Sequence, residues 1–131
     1  MEVLLNTLSQ RSGMLHPFIF DMTTADLSEV PFHNNTPAVT RYVPKNFPMH
    51  MAVHQVSPVL APPAAYTQSH VHDDCNEINI IIADDNLQYK IQLGENEYIV
   101  GNNTCIWIPR GTVHAANVLR GSGYFIAIRI N

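Results

Sequence analysis

The chain has 131 residues, which fits one domain able to bury roughly two thirds of the surface exposed by its unfolded form. Charged residues make up only 14%, the formal net charge is −4 and Lys and Arg form no cluster, so composition argues against nucleic acid or an anionic membrane as partner. The N-terminus has no basic region ahead of its short apolar stretch, and no apolar run approaches the ~20 residues that span a bilayer, so a soluble, cytoplasmic protein is expected.

In chain order, Val3, Leu4, Leu5 and Leu8 fit one face of a short helix ended by Gly13 and Pro17, an arm suited to packing on a partner subunit. Phe18 to Phe20 fits a short strand, and Thr23 to Glu29 offers a capping residue before about one helical turn, stopped by Pro31. Phe32 to Thr36 reads as loop, Ala38 to Val43 as a strand closed by Pro44, and Met49 to Val56 as a strand bracketed by prolines. His50 and His54 share a face of that strand, where polar packing is a better account than metal binding. Tyr66 to His72 is the next expected strand, followed by a turn at Asp73 to Asn76 and a strand from Glu77 to Ala83.

Asp84-Asp85-Asn86 is a turn signal, and Leu87, Tyr89, Ile91 and Leu93 then alternate with polar residues, as in a strand with one buried face. Glu97 to Val100, Thr104 to Ile108, Ala115 to Leu119 and Tyr124 to Ile130 complete the series, the last two joined by a hairpin turn at Arg120 to Gly123. Short strands separated by turn residues at intervals of about ten mean an all-β sandwich or barrel. Residues 1–37 are expected as an arm with short elements and residues 38–131 as the barrel of a single domain.

Few groups in the chain carry chemistry. The two cysteines, Cys75 and Cys105, lie outside any Cys-x-x-Cys pair and read as reduced thiols, with Cys75 open as a soft ligand because it falls between His72 and Glu77. The Asn-x-Thr triplets at Asn34 and Asn102 matter only in a secreted protein. His70-x-His72 is the informative pair: on a strand both rings point one way, about 6.5 Å apart, so one cation bridges them. Glu77 follows a short polar turn and is placed to return as a carboxylate ligand. Pro109-Arg110-Gly111-Thr112-Val113-His114 sets another histidine just after a Pro/Gly turn.

His70-x-His72-x4-Glu77 followed by Pro109-x-Gly111-x2-His114 resembles the two motifs of the cupin superfamily, over about residues 49 to 130. The resemblance implies a cupin-type double-stranded β-helix barrel, a jelly roll, with a short N-terminal extension. It further implies that His70, His72, Glu77 and His114 hold one divalent transition metal, Fe(II) first, with Mn, Ni, Zn or Co as other fits. Where the family pattern has glycine, this chain has Ala64, Asp84 and Asn103, and the asparagine expected after His114 stands one position early, as Asn117. Asp and Asn tolerate left-handed backbone better than most residues, so Asp84 and Asn103 are expected to keep those turns.

Three imidazoles and a carboxylate leave positions on an octahedral ion for water or substrate, and acid is expected to release the metal. Counting by two along regular strands, Tyr66 and Gln68 share a face with His70, and Asn79 shares one with Glu77. These three are the candidate substrate-binding residues, with Asn79 equally readable as an amide that holds a metal ligand. Arg129, in phase with Phe125 and Ala127, is a candidate carboxylate clamp, although its place near the chain end favours solvent.

A metal-dependent enzyme acting on a small organic molecule is therefore expected, of non-haem iron dioxygenase type or a related oxidoreductase. Glu77 is its candidate proton carrier, and the protein is expected as a homodimer. Isomerase, cyclase or lyase chemistry is the alternative within enzymes, and a ligand-sensing or sugar-binding cupin the alternative outside them.

Overall fold

A computed structural model describes residues 17–131, so the short helix expected ahead of Gly13 lies outside the described residues. Seven strands occur among the described residues: β1 (Met22–Thr24), β2 (Val39–Pro44), β3 (Met51–Val59), β4 (Asn76–Leu93), β5 (Asn96–Gly101), β6 (Thr104–Ile108) and β7 (His114–Ile130). One 3₁₀ turn, Leu27–Glu29, supplies the single helical turn expected there, and the described residues contain no α-helix. All pairings are antiparallel, in the order β1-β2-β3-β7-β4-β5 with β6 on β4.

The long strands β4 and β7 organise the rest. They pair with each other from Asn76↔Ile130 to Leu93↔His114. Turns were expected at Asp84–Asn86 and at Arg120–Gly123, but both strands run through these points with irregular register. Gly121 (φ 90°) and Gly123 (φ 148°) make the bend possible, since a Cβ there would meet Asn86 O at 2.3 Å and Ile82 O at 2.2 Å. Asn86 takes the left-handed conformation in place of Asp84, whereas Asn103 (φ 68°) turns as expected and its Oδ1 accepts from the Ala83 N–H.

On one side of the bend β4 is flanked by β7 and β6, and on the other by β7 and β5. Residues from both halves then meet in one core: the rings of Tyr89 and Phe125 stack at 4.8 Å, with Leu87, Ile91, Ile81, Ile106 and Val118 around them. Each such aliphatic or aromatic side chain contributes about 1.5–3 kcal/mol on burial. The Leu87-Tyr89-Ile91 alternation places all three on the inner face, as their spacing predicts.

Two expected strands differ from the structure. The first strand falls at Met22–Thr24 rather than Phe18–Phe20. Tyr66–His72 is not a strand, because it touches its neighbours only through isolated bridges, His33↔Thr67 and His70↔His114. Its regular pleat is lost, and with it the basis for placing Tyr66, Gln68 and His70 on a common face.

Candidate metal centre

Without a strand to align them, His70 and His114 are brought together by the bridge itself. Each backbone N–H donates to the other's carbonyl, at 3.0 and 2.8 Å, so the two residues stand directly opposite with their rings 4.4 Å apart. The Gly111 N–H donates to the His72 carbonyl at 2.7 Å and ties the Pro/Gly turn to the same segment. One ligand nitrogen from each of His70, His72 and His114 falls within 4.8 Å of the others.

The rings are aimed by the backbone. His70 Nδ1 lies 2.7 Å from the Gln68 carbonyl and His114 Nδ1 lies 2.9 Å from the Thr112 carbonyl, in each case two residues earlier. A proton on Nδ1 makes both bonds, which leaves each Nε2 lone pair for the site. Burial pulls the His70 pKa down to about 4, and His72 is lowered for the same reason first, so both are neutral and able to ligate near pH 7.

Glu77 stands beside the three histidines without being one of the mutually close set. Its Oε1 is 3.4 Å from His72 Nε2, 3.8 Å from His114 Nε2 and 3.7 Å from Arg129 Nε, while its Oε2 accepts from Asn79 Nδ2 at 2.8 Å. His72 Nε2, His114 Nε2 and Arg129 Nε are buried without hydrogen-bond partners. Buried polar atoms are nearly always satisfied, so lone pairs converging beside a carboxylate fit a divalent cation. Cys75 is not part of the group; it is buried, and its burial raises the thiol pKa, which suits a reduced structural thiol.

A cavity of about 50 Å³ opens from this group into the barrel. Its floor is three cross-strand rows: His50, Arg129 and Glu77; then Ala52, Ala127 and Asn79; then Arg41, His54 and Phe125. The two alanines of the middle row leave the space that the flanking rows line.

Several expectations change on this geometry. Gln68 is exposed and lines a surface groove with Ser69 and Gln92; its contribution to the site is the carbonyl that aims His70. Tyr66 lines the cavity but is 2% exposed, its hydroxyl accepts from the Val118 N–H, and burial pushes its pKa up to about 12. Asn79 also lines the cavity, and its amide holds the Glu77 carboxylate. Arg129, expected in solvent, stands across the ladder from Glu77 and reaches it, because β4 and β7 are paired to their ends.

Four contributors had no assigned role. Asn117 Oδ1 accepts from the Tyr66 and Thr67 N–H groups at 2.8 and 3.0 Å and its Nδ2 donates to the Thr67 carbonyl, which pins the irregular segment carrying His70 onto β7. Phe32, at φ 67°, stacks on the His70 ring, and His33 meets the same ring edge-on at 5.3 Å. A bulky residue with positive φ is strained, which no sequence pattern announces. Arg41 is buried on the inner face of β2, and its phase with Val39 is the signal that points to it.

No protein-family model matches the chain, and neither does any curated protein. Solved structures do match. The chain aligns with an RmlC-like cupin from Shewanella frigidimarina at a TM-score of 0.56 and 11% identity, over 87% of this chain and 89% of that one. It aligns with the Drosophila melanogaster CENP-C cupin domain at 0.56 and 8% identity, over 98% and 96%. The iron(II) form of HppE aligns at 0.51 and 13% identity, over 99% and 76%. The fold is the cupin fold: an antiparallel jelly-roll barrel with a histidine group at one end of its interior. No helix of the described residues is long and apolar enough to cross a membrane.

Proposed function

We propose that the protein is a metal-dependent enzyme acting on a small organic molecule, of the non-haem iron dioxygenase type or a related oxidoreductase. The observation that carries this reading is the convergence of the His70, His72 and His114 imidazoles on one point beside Glu77, two of them with a buried, unpartnered Nε2. These four side chains would hold one divalent transition metal, iron(II) first. When bound, such an ion supplies Lewis-acid polarisation of a substrate oxygen or a place for O2.

The rest of the chemistry belongs to the chain. Asn79 fixes one oxygen of Glu77, so the other, Oε1, faces the cavity side chains and is the atom placed to hold or move a proton. Arg129 Nε stands 3.7 Å from the same oxygen. Tyr66 and Phe125 line the apolar part of the cavity and exclude water from it.

The Arg129–Glu77 contact also favours a second reading, a ligand-binding cupin without catalysis, because an arginine satisfies the carboxylate with no metal present. Metal analysis separates the two. The enzyme reading expects near-stoichiometric transition metal in the purified protein, lost in a His70→Ala, His114→Ala double variant. It also expects O2 consumption with some member of a panel of diketones, phenols and amino acids. Absence of metal after reconstitution with Fe, Mn, Ni, Zn and Co leaves the binding reading standing.

A further inference from the structure

We infer that the cavity end opposite the three clustered imidazoles is an anion site, where the Arg41 guanidinium and the His54 ring receive the carboxylate of a small organic acid. The inference rests on the reading of this cavity as a substrate pocket and names the class of substrate.

Arg41 is 8% exposed, faces the cavity and makes no side-chain hydrogen bond or ion pair among the described residues. A buried guanidinium left unpartnered is costly, and an apolar residue in phase with Val39 would serve the fold better. The neighbouring charges do not satisfy it. Arg129 repels it, Glu77 is engaged by Arg129, and Glu29, the carboxylate that Arg41 does feel, is exposed and screened by water. One positive charge is left over at this end, which matches a monoanion. A planar carboxylate meets the guanidinium fork through two parallel hydrogen bonds.

His54 completes the pocket as an uncharged donor. His54 stands next to Arg41 across the ladder, is 7% exposed and has a buried Nδ1 without a partner. Burial keeps that ring neutral, whereas His33 and His50 line the cavity nearer its other end, against the His70 ring and in the row of Arg129 and Glu77. Size sets the last limit. Ala52 and Ala127 separate the two polar ends, and about 50 Å³ at the usual 10–15 Å³ per water admits a molecule of few heavy atoms. That volume suits an acid of about two to four carbons.

Calorimetric titration of chelator-treated protein with acetate, glycolate and pyruvate at fixed ionic strength tests this, with acetamide as the uncharged control. At least one acid is expected to bind saturably and acetamide not. Arg41→Gln and Arg41→Lys, the second keeping charge without the fork, are expected to weaken binding at least about tenfold. Ala127→Leu, which fills the cavity and leaves every charge in place, is expected to abolish it and carries the test if Arg41→Gln does not fold. Acid binding unchanged in the Arg41 variants, equal binding of acetamide, or no binding of any acid overturns the inference. Metal uptake by the wild-type protein keeps the two readings apart. Arg41-dependent acid binding in a wild-type protein that takes up no metal on reconstitution sinks the metal-enzyme reading alone; metal uptake without acid binding sinks only this one.

Discussion

At one end of the cavity His70 and His114 stand at the margins of regular structure and are aimed by carbonyls two residues before each of them. At the other, Arg41 and His54 stand on neighbouring strands and are aimed by the pleat alone. The first end needs a local motif and a clamp on its backbone. The second needs only the correct register of β2, β3 and β7, and so it has no motif to recognise. The candidate centre is thus drawn mainly from one short stretch of sequence, and the proposed pocket from sheet topology alone.

Breaking the first end is expected to have the largest effect: the His70→Ala, His114→Ala variant loses its metal, read by elemental analysis, while its thermal unfolding remains cooperative. Next comes the clamp. Asn117→Ala strips partners from the Tyr66 and Thr67 N–H groups and the Thr67 carbonyl, and should cost about 3 kcal/mol in denaturant unfolding. If the two ends are built independently, that variant weakens metal uptake more than it weakens carboxylate binding at Arg41.

The second end is sharpened by acid. Burial, then the Arg41 charge, lowers the His54 pKa to about 3, against about 6.5 in the unfolded chain. Above pH ~6.5 the ring is neutral in both states; below it the unfolded chain takes up the proton first, so stability falls as pH drops from ~6.5 toward ~3. The loss from His54 alone is about 2 kcal/mol by pH 5, and His54→Leu should flatten that part of the curve. A wild-type curve level between pH 7 and pH 5 contradicts this account. The smallest stability effect is that of Ala127→Leu, about 1 kcal/mol from overpacking, with metal content unchanged.

The spacing of the chain made much of this legible. The Leu87-Tyr89-Ile91 alternation marks a buried strand face, the turn-rich punctuation marks an all-β barrel, and His70, His72 and Glu77 stand together in sequence, with His114 joined to them by the two-motif resemblance. Tyr66 to His72 failed as a strand because its backbone bonds go largely to the Asn117 side chain, the Phe32 carbonyl and His114 rather than to a ladder. Asp84–Asn86 and Arg120–Gly123 failed as turns because left-handed residues serve equally in a bulge, and whether a partner strand continues past them is not a local property.

By itself the sequence determined the strand faces, the barrel class and the grouping of His70, His72 and Glu77, since each follows from a period of two or from residues a few positions apart, while His114 entered through the two-motif resemblance. Only the tertiary structure decided that Arg129 meets Glu77, that Asn117 holds the His70 segment and that Arg41, His33, His50 and His54 share one cavity. Those contacts join residues tens of positions apart, and their distances are set by strand register and by the bend in β4 and β7, which no single segment encodes.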